Sequence, residues 1–331
     1  MSTPYEVIIT DLIEDDLAPE RSVLGELARV SALQARGEAA LVGRVEHADA
    51  LIVYHHVTLT AKTIDRLERC RLIVRGGVGY DNVDGRLARQ RGIPLANVPD
   101  YGSEEVADSA LGLLLSLTRG INLANSRQRA GEGPWSYAAA APLFRLRRRV
   151  LGIVGLGRIG TAMAVRGKSL GMEVVFHDPY KPDGYDKALG IRRVETLEEL
   201  LAQSWVVSLH CPLTPETHHL IDAAAIARMP RGSYLVNTAR GGVVDCRAVP
   251  AAIASGQLAG VGIDVLEHEP PLPDDPLLAA WRDPQHPCYH RLILNPHVAF
   301  YCEEGTQEMR RKAAEACRRV LLGLPLRNVV N

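Results

Sequence analysis

The chain has 331 residues, more than one ordinary hydrophobic core organises, so two domains are expected. With 47% hydrophobic and 23% charged residues it has the balance of a folded globular protein, and a net charge of −1 argues against a nucleic-acid or anionic-membrane binder. The longest apolar run, residues 110–117, is too short to span a bilayer, and the N-terminus lacks the basic start and apolar run of a secretory signal, so a cytoplasmic protein is expected.

In chain order, residues 6–10, 50–54, 72–75 and 93–98 read as strands rich in Val and Ile. Residues 20–30, 61–69 and 83–91 between them have helical spacing. This alternation implies a parallel sheet with helices on its faces. A long helix then starts at Ser103, a favoured N-cap, with Glu104 and Glu105 where the helix dipole favours negative charge. Val106, Ala110, Leu113 and Leu117 share one of its faces. Residues 131–149 break the pattern with Gly, Pro and a run of arginines, and read as a solvated arm.

A second alternation begins at Arg149. Its strands are 150–154, 173–177, 205–209, 234–237, 261–265 and 292–295, with helices at 159–170, 197–202, 222–228 and 247–255. Six strands with crossovers imply a complete doubly wound dinucleotide-binding domain. Residues 303–322 form an amphipathic helix placed to return to the first domain. The six cysteines form no CxxC pair and read as reduced thiols. His286-Pro287-Cys288-Tyr289-His290 matches no common zinc spacing and reads as a polar loop, and His218-His219 reads as the start of a surface helix. No metal is expected.

Gly155-Leu156-Gly157-Arg158-Ile159-Gly160 follows a strand directly and opens a helix. In such a turn Gly155 permits the tight bend, Gly157 lets backbone approach a pyrophosphate, and Gly160 lets the helix lie close to the strand. Asp178 ends the next strand, where a carboxylate accepts hydrogen bonds from ribose hydroxyls and repels a 2′-phosphate, so NAD is the expected cofactor. Asp178, His210, Thr238, Asp264 and His297 each lie at or just past the end of a predicted strand, where open α/β sheets bind ligands.

Together with Asn237-Thr238-Ala239-Arg240-Gly241-Gly242 and Glu267-His268-Glu269-Pro270, these motifs resemble the D-isomer-specific 2-hydroxyacid dehydrogenases along nearly the whole chain. Within that family the chain is most similar to the C-terminal binding protein branch. That likeness rests on the run Val53 to Thr60, on Gly79-Tyr80-Asp81-Asn82, on the run His297 to Glu303, and on the closing Leu326-Arg327-Asn328-Val329-Val330-Asn331.

The resemblance implies a Rossmann NAD-binding domain over 101–295, with a dimerisation arm at about 120–149. A smaller flavodoxin-like substrate domain would be formed by 1–100 and 296–331. It implies that Arg240, Glu269 and His297 are catalytic: the imidazole as proton donor, Glu269 holding it in orientation, Arg240 gripping the substrate carboxylate. Around the cofactor it implies Val106, Arg158, Ile159, His210, Cys211, Pro212, Thr217, Thr238, Ala239 and Asp264, the last near the nicotinamide. On the substrate side it implies His55, Gly77, Val78, Gly79 and Phe300, with the Gly76–Gly79 backbone as an anion nest. The expected reaction is reduction of a small 2-keto acid, or its reverse, by a homodimer. The branch also contains corepressors, so an NAD(H)-sensing scaffold is the alternative expectation.

Overall fold

The structure, a computed structural model, describes residues 4–331. The chain forms two compact units, Met1–Gly102 with Tyr301–Asn331, and Ser103–Phe300.

In the first unit β1 (Tyr5–Ile9), β2 (Ala28–Ala32), β3 (Ala50–Val53), β4 (Ile73–Arg75) and β5 (Leu95–Asn97) pair in parallel in the order β2-β1-β3-β4-β5, the flavodoxin-like arrangement. Every residue of β3 is buried, as expected for a central parallel strand covered on both faces. Strand β2 overlaps the end of the stretch 20–30 that helical spacing assigned to one helix. The helix instead spans Ala18–Leu24 and ends at Gly25, whose φ of 52° no longer continues it. Beyond it Ala28 and Val30 are buried while Arg29 and Ser31 are exposed, the two-residue period of an edge strand.

The helix Glu303–Leu321 belongs to this unit and packs on Ala18–Leu24. Arg310 on it reaches Glu20, which is wholly buried, through Nε at 2.6 Å and a second guanidinium nitrogen at 2.7 Å, and also pairs with Asp15. At the edge of the same unit Asn331 accepts a hydrogen bond from the Leu95 N–H (2.8 Å) and donates to the carbonyls of Gly85 (3.0 Å) and Ile93 (3.1 Å).

The second unit holds β6 (Val150–Val154), β7 (Glu173–His177), β8 (Arg192–Arg193), β9 (Val206–Leu209), β10 (Ser233–Asn237), β11 (Leu258–Ile263) and β12 (Leu292–Leu294). All pair in parallel in the order β12-β11-β10-β9-β6-β7-β8. The order reverses between β6 and β9, which creates the crevice where such sheets bind ligands. The sequence missed β8, a two-residue edge strand too short to show a period.

Helices shape the rest of this unit. Ser103 is the first residue of the helix Ser103–Thr118, not its cap, and its buried hydroxyl has no hydrogen-bond partner. Val106 lies on the buried face of that helix, as its spacing predicts. The dimerisation arm expected at about 120–149 begins with the helix Ile121–Arg129. The loop expected at 286–290 is largely the short helix Cys288–Arg291, because Cys288 is wholly buried and His290 bridges Ser126 (2.9 Å) and Glu132 (3.0 Å). His218 and His219 lie in a turn, not at a helix start; the helix begins at Ala223, capped by the Asp222 carboxylate on the Ala225 N–H. The return crossing falls after Phe300, later than the expected Pro296, because Asp264 fastens residues 298 and 299 to the second unit. Among the described residues no helix is long and apolar enough to cross a membrane.

Because Glu20 is buried against a cation from the far end of the chain, Arg310→Met leaves its carboxylate unpaired. Urea denaturation should show a loss of about 3–5 kcal/mol, and the double change Glu20→Met/Arg310→Met should regain most of it. Equal losses in the single and double variants would mean that the pair contributes through packing alone.

Candidate active site

The glycine turn behaves as its sequence spacing requires. Gly155 follows β6 with φ 87°, and a Cβ there would lie 2.7 Å from the backbone nitrogen of Cys211. A Cβ at Gly160 would meet the Gly155 carbonyl oxygen at 2.1 Å, so only glycine lets the helix Arg158–Ser169 start so close to the strand. At Gly157 a Cβ meets nothing within 4 Å, which leaves room beside the helix N-terminus of Arg158 and Ile159. Asp178 closes the turn from β7: one oxygen accepts from the Leu156 N–H (2.8 Å) and the other from the Tyr180 N–H (3.0 Å). It therefore caps its own turn and ties down the glycine loop, and each oxygen keeps a lone pair for a further donor.

His210 and Cys211 follow β9 directly beside this turn, with the His210 N–H on the Val154 carbonyl (2.8 Å). His210 Nε2 pairs with Ser208 (2.8 Å), while the buried Nδ1 has no partner. Burial pushes its pKa down to about 4, so the ring is neutral at physiological pH, and burial pushes the Cys211 thiol up to about 11. The Pro212 carbonyl accepts from the Thr217 hydroxyl (2.7 Å), which itself accepts from the Thr214 N–H (2.8 Å), so Thr217 locks the following turn. Thr238, just past β10, is buried with an unpartnered hydroxyl, and the Ala239 N–H bonds the Asn237 side chain (3.0 Å). An open approach at Gly157 together with buried unpaired polar atoms on His210 and Thr238 fits a bound dinucleotide. The helix that carries Val106 packs on Arg158–Ser169, where Asp108 pairs with Arg166 at 2.7 Å.

Arg240, Glu269 and His297 come together at the carboxyl ends of β10, β11 and β12. The Arg240 carbonyl accepts from the Asn237 side chain (2.9 Å). Gly241 lies so close to the Leu266–Glu267 backbone that a Cβ would sit 1.9 Å from the Leu266 carbonyl carbon. The arginine loop and the glutamate loop thus touch through a residue with no side chain. Glu269 accepts from the Leu266 N–H (2.7 Å) through one oxygen and binds His297 Nδ1 (2.7 Å) through the other. Burial disfavours the charge on Glu269, but the His297 hydrogen bond and charge, the Leu266 N–H and the Arg240 cation outweigh it and hold the carboxyl below its usual range.

His297 has φ 56°, a left-handed conformation that non-glycine residues rarely adopt. Its N–H bonds the Asp264 carbonyl (2.7 Å), and the Asp264 carboxylate accepts from Val298 (3.0 Å) and Ala299 (2.9 Å). Burial pushes the Asp264 carboxyl up despite those two donors. Resemblance placed Asp264 near the nicotinamide; its carboxylate is occupied in holding the His297 turn. The Phe300 ring meets the imidazole edge-on at 6.0 Å.

In the first unit Gly77, Val78 and Gly79 follow β4. Gly77 has φ 146°, and a Cβ there would strike the Arg75 guanidinium at 1.6 Å. The Gly76 N–H is spent on the Val53 carbonyl (2.8 Å), so the expected nest narrows to residues 77–79. Sequence reasoning passed over Arg75: it is 3% exposed, donates to the Gly76 carbonyl (3.0 Å), and bonds His55 Nδ1 (2.9 Å). A buried cation directly under a glycine loop favours an anion above it. The signal available was an arginine ending an otherwise apolar strand.

The family model for the NAD-binding domain of D-isomer-specific 2-hydroxyacid dehydrogenases matches residues 111–299. A glyoxylate reductase of Korarchaeum cryptofilum is 38% identical over 278 residues, covering 83% of this chain and 80% of that protein. A D-3-phosphoglycerate dehydrogenase of Methanocaldococcus jannaschii is 33% identical over 326 residues; the match takes in 98% of this chain but only 59% of that longer protein. Among solved structures, D-lactate dehydrogenase from Aquifex aeolicus, in complex with NAD and lactic acid, superposes with a TM-score of 0.85 at 28% identity and 96% coverage of both chains. These matches do not single out the C-terminal binding protein branch. With its two parallel sheets, its glycine turn and its domain match, the chain belongs to the D-isomer-specific 2-hydroxyacid dehydrogenases, NAD-dependent oxidoreductases.

Proposed function

We propose that this protein reduces small 2-keto acids to D-2-hydroxy acids, with His297 as the proton donor. The observation that carries the reading is the 2.7 Å contact between His297 Nδ1 and a carboxylate held ionised by its surroundings. NADH, when bound, supplies the hydride that goes to the C2 carbon. With Nδ1 engaged by Glu269, the proton delivered to the carbonyl oxygen comes from Nε2. Glu269 orients the ring and stabilises its protonated form. Arg240 binds the substrate carboxylate and offsets charge growing on the carbonyl oxygen. Gly155, Gly157, Gly160, Arg158 and Ile159 would hold the pyrophosphate, and Asp178 the adenosine ribose. Residues 77–79, backed by Arg75, are suited to a carboxylate, while His55 and Phe300 are proposed to shape the substrate pocket.

The test is a panel of glyoxylate, hydroxypyruvate, pyruvate and phenylpyruvate with NADH. At least one should be turned over, and His297→Asn should lower kcat by about 10²-fold or more while NADH still binds. Asparagine is the replacement of choice because it tolerates the left-handed backbone at this position. No oxidation of NADH across the panel favours the scaffold reading.

Reduction takes up one proton and oxidation releases one, so under chemistry-limited conditions the reduction rate should fall as pH rises and the oxidation rate should rise. Glu269 is held below the usual carboxylate range, so it stays ionised as pH falls through that range and its protonation should not limit the rate there. Initial rates in both directions across pH check this, and a flat reduction profile to pH 10 would contradict it.

The arm expected at about 120–149 leaves Trp135 and Tyr137 91% and 89% exposed, which suits burial against a second copy. Sedimentation equilibrium should show a homodimer, and Trp135→Ser/Tyr137→Ser should weaken it; a wild-type monomer at micromolar concentration rules this out.

A further inference from the structure

We propose that His218, His219 and Glu267 form a surface site for a divalent transition metal of the zinc type. The three groups sit in the second unit and take no part in the reaction described above. The two imidazoles stack with centroids 3.9 Å apart and planes 28° from parallel. Both reach one carboxylate: His218 Nε2 lies 3.5 Å from Glu267 Oε1, and His219 Nε2 lies 3.2 Å from each of its oxygens. All the donor atoms fall within 4.8 Å of one another. Tetrahedral zinc, with bonds of roughly 2.0–2.2 Å to nitrogen and oxygen, separates neighbouring ligand atoms by about 3.3–3.6 Å, close to the spacing seen. Two imidazoles and a carboxylate are borderline ligands that prefer zinc over magnesium or calcium, and a fourth position remains for water.

The backbone holds these groups in place. His219 has φ 50°, outside the range most side chains accept, and its N–H bonds the Gly242 carbonyl at 2.7 Å. Adjacent histidines would normally diverge along an extended or helical backbone, and this turn brings them to one side. Glu267 comes from the loop that also carries Glu269. A bound metal therefore clamps that loop to the turn formed by residues 214–220. Sequence spacing hides the site because its carboxylate lies 48 residues from His219.

The test is isothermal titration of zinc chloride into the full chain after treatment with EDTA and dialysis, with each variant checked for its circular dichroism spectrum. The expected result is one site in the wild type, weakened more than tenfold in both His218→Ala and Glu267→Gln. A control, His286→Ala, alters the other histidine cluster and should bind as the wild type does. The melting temperature should rise with zinc in the wild type and in the control but not in the two site variants. Unchanged affinity in His218→Ala and Glu267→Gln, loss confined to His286→Ala, or no binding below millimolar zinc would each overturn the proposal.

Discussion

The reacting side of this molecule depends on what Asp264 does with its three acceptor oxygens. Its carbonyl takes the His297 N–H and its carboxylate takes those of Val298 and Ala299, so the end of β11 grips the turn that follows β12. Without that grip a left-handed histidine would relax to a commoner conformation and its ring would leave Glu269. Asp264 is itself 1% exposed, and burying its carboxylate is tolerable because backbone donors replace the lost water. Every distance around His297 inherits this arrangement. Gly241 plays the matching part for Arg240, since the contact between its loop and Leu266–Glu267 tolerates no side chain at all.

Much of this was legible along the chain, for reasons that differ by residue. The strands β6, β7 and β9 and the glycine turn announce themselves because a buried parallel strand is a short apolar run and a pyrophosphate turn needs glycines at set positions. The ligand-binding end of the sheet follows from where strands stop, which placed His210, Thr238 and Asp264 near the site. What Asp264 holds could not be read that way, since its partners lie 34 and 35 residues on and are backbone groups with no residue signature. The pairing of Glu269 with His297 came through resemblance for the same reason.

Errors cluster where short-range pattern and long-range contact compete. β2 hid in a helix because its alternation is brief and its polar residues fit an exposed helix face equally well. Nothing local in the sequence marks Glu20 as wholly buried, because its partner Arg310 is 290 residues away. Arg75 is the same case in miniature: a charged side chain at the end of an apolar strand looks like the edge of the core and is in fact inside it.

That the first unit is assembled from both ends of the chain has a consequence for its birth on the ribosome. Residues up to 102 leave the exit tunnel long before the helix Glu303–Leu321 exists, so the nascent sheet must wait with Glu20 uncompensated and an apolar face uncovered. The intervening unit is continuous in sequence and can close while synthesis proceeds. Vectorial folding therefore runs from the middle outward, and the early segment is the part most exposed to chaperones or to misassociation until the last helix arrives.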